Sequence, residues 1–192
     1  MACAHDEIIA TLRTAAGALR DADVPFMLGG SIGCWARGGP RSQNDLDLML
    51  AHEDVERALE VLVAAGMRAE HPPEDWLAKV FDGEVMVDLI HEPLGIGSVT
   101  REMIDSAERL SVVAIDMPVM SLEDIIVAKL LAINEQRLDY GPPLEIARAL
   151  RERVNWPEVR ERSGSSPYAR AFFALLTELE IVAPEQSGPE PA

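Results

Sequence analysis

The alternation Asp45-Leu46-Asp47-Leu48-Met49-Leu50, separated by a short helix over 32–36 and a loop over 37–43 from the turn Leu28-Gly29-Gly30-Ser31, constrains this chain more than any other stretch. Polar and apolar residues at period two read as a strand with both carboxylates on one face. Their Cα atoms then lie roughly 7 Å apart, near enough for the side chains to converge on a hard cation such as Mg²⁺. Upstream, Val24-Pro25-Phe26-Met27-Leu28 is an apolar run that reads as a buried strand over residues 24–28. The paired glycines carry no Cβ, so the chain can turn sharply and approach a ligand closely. Ser31 falls where a helix would begin, a favoured N-cap, and the free N–H groups of such an end attract phosphate. A phosphate cradle followed by a carboxylate pair is the chemistry of nucleotide-dependent phosphoryl or nucleotidyl transfer.

Around this centre, helical and strand periodicities alternate. Residues 7–19 carry a helical stripe (Ile8, Ile9, Leu12, Ala15, Ala16, Leu19), and residues 53–65 carry another that Gly66 stops. Residues 77–81 and 84–91 read as a hairpin joined by Asp82-Gly83. On its second strand Val85, Val87 and Leu89 share one face, and Glu84, Met86, Asp88 and Ile90 share the other. Asp88 is a charge in an apolar centre, which is costly unless it is paired or metal-bound. Residues 101–107 suit a turn or two of helix, and 110–115 and a piece around Val119 suit further strands. From Ser121 the pattern becomes helical. Ser121-Leu122-Glu123-Asp124 is a capping signature, and the helix behind it is almost wholly apolar apart from Lys129. Gly141-Pro142-Pro143 reads as a break before helices over 144–154 and 168–179. The expected fold is α/β (α+β), a mixed, mostly antiparallel sheet with flanking helices. It divides into a core over 1–120, a helical C-terminal part over 121–180 and a disordered tail over 181–192.

A chain of 192 residues, 48% of them hydrophobic, can bury a sizeable core. No apolar run approaches the ~18 residues of a membrane span. The start, Met1-Ala2-Cys3-Ala4-His5-Asp6-Glu7, has neither a basic leader nor an apolar signal region, so nothing implies export. Cys3 and Cys34 make no disulfide framework, and a reducing cytoplasm is the natural setting. The net charge of −16, from 33 acidic and 17 basic residues, repels polyanions. Aromatic residues are only 5%, with no basic stretch interleaved, so a general nucleic-acid binder is disfavoured.

In order along the chain stand Gly29-Gly30-Ser31, an Arg-containing loop, Asp45-Leu46-Asp47 and the isolated Asp88 on a later strand. Together they resemble the nucleotidyltransferase superfamily. There a Gly-Ser turn precedes two acidic residues flanking an apolar one, and another strand supplies a third carboxylate. The stretch from Ser121 through Lys129 to Leu130 is similar to the helix that follows the sheet in small bacterial members. Among these are AbiEii-type toxins of toxin–antitoxin systems and, less closely, lincosamide and aminoglycoside nucleotidyltransferases. The match spans residues 24–139.

The resemblance implies that Asp45, Asp47 and Asp88 are both catalytic and metal-binding. Asp45 and Asp47 would hold Mg²⁺ and the nucleoside triphosphate, and Asp88 would complete the metal site and help deprotonate an acceptor hydroxyl. Gly30 and Ser31, with Gly29 beside them, would contact the β/γ-phosphates, and Arg41 and Lys129 would neutralise phosphate charge. These roles suit the chemistry, in which metal ions bind the attacking and leaving oxygens and positive groups stabilise the leaving pyrophosphate. The chain departs from the pattern at Gln43, where many members carry Thr. Arg137 and Asp139 fit a later Arg…Asp…Asp pattern only loosely, with Glu145 as a possible substitute. Singly, the residues carry less. Lys129 can snorkel to water, Arg37 and Arg41 can pair with surface acids, and His91 and Cys34 read as structural.

The expected activity is Mg²⁺-dependent transfer of a nucleoside monophosphate from an NTP to a hydroxyl of tRNA, a protein or a small molecule. The enzyme would act alone or as a toxin with an antitoxin partner. Two other readings stand beside it: a non-catalytic relative kept as a binding or assembly module, and an antibiotic-modifying enzyme with an acidic cleft for a cationic drug. Retention of all three aspartates favours catalysis, since an idle carboxylate cluster only repels itself.

Overall fold

The computed structural model describes residues 4–41, 45–70 and 72–183. Cys3, Gln43, Asn44 and the tail over 184–192 lie outside the described residues. The strands are β1 (Met27–Leu28), β2 (Leu46–Met49), β3 (Arg68–Glu70), β4 (Leu77–Asp82) and β5 (Val85–Ile90), followed by a separate pair, β6 (Arg109–Val112) and β7 (Ile115–Pro118). The first five form one sheet in the order β1-β2-β5-β4-β3. Within it β2 and β5 run parallel, and the other neighbours are antiparallel.

The period-two pattern has the consequence it predicts. Leu46, Leu48, Val80, Val87 and Leu89 turn to one face and pack on α1 (Ala4–Asp21) and α3 (Val55–Ala64) through Leu12, Leu19, Leu59 and Leu62. Met27, Met49, Leu77 and Ile90 turn to the other face. They are covered by α5 (Leu122–Leu131) and the cluster it forms with α6 (Gly141–Leu150), α7 (Trp156–Ser163) and α8 (Pro167–Glu178). A one-residue slip of β2 would exchange its leucines for aspartates in the first core, so burial specifies the register. Ser121 caps α5 as expected, its side chain accepting from Asp124 N–H at 3.1 Å. Among the described residues no helix is long and apolar enough to cross a membrane.

Several boundaries differ from expectation, each for a local reason. The first strand is only Met27–Leu28, because Pro25 has no N–H to give a ladder. The β4–β5 turn is Gly83-Glu84 rather than Asp82-Gly83: Asp82 pairs with Val85, and Gly83 takes the left-handed conformation at φ +60°. Residues 110–115 are not one strand. Val113 and Ala114 take φ +49° and +67°, and the chain folds back there from β6 into β7. Consecutive left-handed residues match the twist of a two-residue hairpin, but Val and Ala carry no turn signal. Gly141-Pro142-Pro143 lies inside the first turn of α6 instead of breaking the chain before it. The unforeseen α7 likewise begins with Trp156-Pro157, capped by the Asn155 side chain. Proline in a first turn removes only an N–H that had no partner in the helix. The three-residue β3 has too little pattern to be seen. Val182, expected in the tail, is buried against the C-terminal cluster.

Candidate active site

β1 passes to α2 (Gly30–Ala36) through Gly29, whose N–H donates to the Asp47 carbonyl oxygen at 2.9 Å. Asp47 pairs in register with Asp88 across β2 and β5, Asp88 with Lys79 on β4, and Lys79 with Glu70 on β3. Laterally paired residues point to the same face of a sheet. The side chains of Asp47, Asp88, Lys79 and Glu70 therefore form one row across four strands, with Gly29 at its end. Farther along β2 and β5, Met49 and Ile90 close this face as apolar floor.

The glycine turn and the carboxylate row meet at Gly30. Its φ is +56°, and a Cβ there would stand 1.6 Å from Asp47 Oδ2. Only glycine lets that carboxylate come so close to the backbone. Ser31 is not the N-cap: Gly29 holds that position without a side-chain bond, and Ser31 sits in the first turn of α2. Its hydroxyl oxygen accepts a hydrogen bond from Lys129 Nζ at 2.8 Å. The nearly all-apolar α5 thus turns its one ammonium to the start of α2.

Electrostatics couple the row. Burial pushes the Asp47 carboxyl up to about 6; Lys129 and Lys79 pull it down, while Asp88 and Asp45 push it further up. Burial also raises Asp88, opposed mainly by Lys79, with Asp45 and Glu74 adding to the rise. Lys79 Nζ lies 3.3 Å from Asp88 Oδ1, an ion pair without hydrogen-bond alignment, and Oδ1 is buried with no hydrogen-bond partner.

Asp45 is exposed and stands one residue before β2 begins, rather than on the strand with Asp47 as expected. Arg41 is exposed beside the undescribed residues 42–44, and no hydrogen bond or ion pair among the described residues joins it to the carboxylates. Among the described residues no three His, Cys, Asp or Glu side chains are gathered closely enough to hold a metal ion. What the strands pre-form is the Asp47–Asp88 pair, with Asp45 at its rim. Two hard carboxylates side by side suit a divalent cation that carries further ligands of its own, such as a triphosphate.

Other residues stand apart from this row. Asp139 accepts from the Gly141 N–H at the start of α6, Arg137 bridges back to Asn134, and Glu145 is exposed. His91 makes an edge contact with His52. Cys34 is buried, and burial pushes its thiol up to about 11, so it packs as a neutral side chain. Arg37 is no surface residue. It donates to the Val119 and Met120 carbonyl oxygens and pairs with Glu108. Sequence reasoning missed Lys79, although a lone lysine between Leu77 and Phe81 on an apolar strand was a signal comparable to Asp88.

No curated protein matches the chain. Among solved structures it is similar to the antibiotic-resistance factor ANT(2'')-Ia in solution. There the TM-score is 0.65 at 16% identity, over 90% of this chain and 96% of that one. The crystal structure of ANT(2'')-Ia in complex with adenylyl-2''-tobramycin gives 0.59 at 16% identity, over 87% and 97%. These likenesses establish the fold. A family model described as uncharacterised nucleotidyltransferase matches residues 35–179, from the end of α2 past the end of α8. On that match the chain belongs to this nucleotidyltransferase family and is an enzyme of that class.

Proposed function

We propose that this enzyme moves a nucleoside monophosphate from an NTP, bound with Mg²⁺, to a hydroxyl of a small cationic acceptor. The observation that carries the reading is the contact between Gly30 and Asp47: a glycine turn suited to phosphate is pressed against the first of two paired carboxylates. Asp47 and Asp88, joined by Asp45, would hold the cation. Bound there, Mg²⁺ would neutralise charge on the reacting phosphate and on the leaving oxygen. Lys129 and Ser31 hold the β- and γ-phosphates beside the Gly29-Gly30 backbone, and Arg41 adds positive charge at the rim. The acceptor oxygen bonds to the α-phosphorus as the bond to the β-phosphate oxygen breaks. Pyrophosphate leaves with that electron pair, and the hydroxyl proton passes to Asp88.

Three facts support a cationic acceptor. The chain carries a net charge of −16. Glu74 lies within electrostatic reach of Asp88. A protein of similar fold has been seen with adenylyl-2''-tobramycin. The same charge weighs against tRNA, and with it against a toxin acting on tRNA beside an antitoxin. The cysteine content supports a cytoplasmic setting.

The test is thermal unfolding with ATP, GTP, CTP and UTP, each with and without Mg²⁺, followed by pyrophosphate release with aminoglycosides, lincosamides or tRNA as acceptor. A nucleotide at ~100 times its dissociation constant stabilises the fold by about 2.7 kcal/mol. The reading expects a Mg²⁺-dependent shift that Asp47→Asn abolishes, and release stimulated by cationic small molecules. Absence of any nucleotide shift would point to a binding or assembly module instead; stimulation by tRNA alone would restore the toxin assignment.

A further inference from the structure

We infer that Lys79 is a positioning residue for the acceptor side of the transfer, holding Oδ1 of Asp88 so that Oδ2 is the oxygen offered to the acceptor hydroxyl. This rests on the reading of Asp88 as proton acceptor.

The sheet places Lys79 directly opposite Asp88 on the adjacent antiparallel strand, with both side chains on the site face. Its Nζ lies 3.3 Å from Oδ1, and the two side chains are only 22% and 14% exposed. Oδ1 itself is buried. With Oδ1 buried against the ammonium, Oδ2 is the carboxylate oxygen left for the acceptor. Asp47 also draws on the ammonium, but as the last of its charge contributors and from one strand farther along the row. Met86 Sδ, at 3.3 Å, is a weak thioether acceptor, and Glu70, next in the row, is paired with Arg68.

The need for such a tether follows from what surrounds Asp88. Asp47 stands beside it in the row, and Asp45 and Glu74 add negative charge nearby. An untethered carboxylate there would swing away from its neighbours. Lys79 opposes that from a strand whose backbone is fixed by pairing on both sides. The two lysines then divide the site. Lys129, on α5, serves Ser31 and the nucleotide side, while Lys79, on the sheet, serves Asp88 and the acceptor side. Misplacing a reacting group by about 1 Å can cost on the order of 100-fold in rate.

Lys79→Met keeps most of the stem and removes the charge; Lys79→Arg keeps the charge. Crystal structures of the wild type and both variants read the tether directly. The Asp88 carboxylate should leave its present orientation in Lys79→Met and keep it in Lys79→Arg. An unmoved Asp88 in Lys79→Met would overturn the inference. In parallel, pyrophosphate release from Mg²⁺·NTP with water as acceptor should show kcat lowered about 10-fold to 100-fold in Lys79→Met. KM for the NTP should stay within about 3-fold, and Lys79→Arg should recover most of the rate. A rise in KM with kcat unchanged would place Lys79 on the nucleotide side and overturn the inference. If the wild type releases no pyrophosphate with water or with any acceptor tested, the proposed activity fails, while the Asp88 orientation still decides the role of Lys79.

Discussion

At Gly30 a backbone and a carboxylate occupy one small volume, and two predictions belong to that scale. Gly30→Ala sets a Cβ where Asp47 Oδ2 now lies and holds alanine at φ +56°. The left-handed conformation alone costs roughly 1–2 kcal/mol. The variant should melt lower by at least that and should lose its Mg²⁺·NTP-dependent stabilisation, as read by the same unfolding assay. The second prediction concerns pH. In metal-free buffer Asp47 titrates near 6 when folded and near 3.8 when unfolded. Between those values the native state binds more protons than the unfolded chain, so stability falls as pH rises from about 4 to about 6. The drop is on the order of 3 kcal/mol at most, and Asp88, shifted in the same direction, adds to it. Denaturant melts across this window should show that slope in the wild type and a weaker one in Asp47→Asn.

At the scale of elements, the site depends on how α2 and α5 are held together. Arg37, at the C-terminal end of α2, donates to both carbonyl oxygens of the Val119-Met120 link that leads into α5. Arg153, in the turn after α6, donates in turn to the Arg37 carbonyl oxygen. The link is tied to β1 as well, Met120 N–H donating to Leu28 carbonyl oxygen at 2.9 Å. Arg37→Met leaves two buried carbonyls without their charged donor and should cost about 2–3 kcal/mol by chemical denaturation. Because Lys129 reaches Ser31 from the far side of this clamp, KM for the NTP should rise more than kcat falls. Much at this scale was legible in advance. The stripes of α1 and α3, the capping of α5 and the alternation of β2 and β5 are local periodicities that burial enforces. The hairpin at Val113-Ala114 and the helix starts at Pro142 and Pro157 were not. There the deciding quantity is a backbone angle, or an N–H that needs no partner, and residue type signals neither.

For the whole molecule the dominant quantity is charge. At −16 the native state repels itself, and screening relieves that repulsion. Raising NaCl from about 10 mM to about 150 mM, where the Debye length shortens from roughly 30 Å to roughly 8 Å, should therefore raise the melting temperature. Polyanion columns should not retain the protein at the lower salt. A melting temperature that falls with salt would mean that the ion pairs of the row and the helix clamp outweigh the general repulsion.

The sequence by itself determined that Asp47 alternates with buried leucines on one strand and Asp88 with apolar residues on a later one, that a glycine turn precedes them, and that an apolar helix with one lysine follows the sheet. Period two and period 3.6 are properties of neighbouring residues, so they can be read without the fold. Only the tertiary structure decided that Asp88 stands between Asp47 and Lys79, that Asp47 lies against Gly30, and that Lys129 reaches Ser31 across 98 residues of chain. Those facts depend on which strands pair, in what register, and on the seat a helix takes. The packing of both cores settles these together, and no single stretch of sequence contains them.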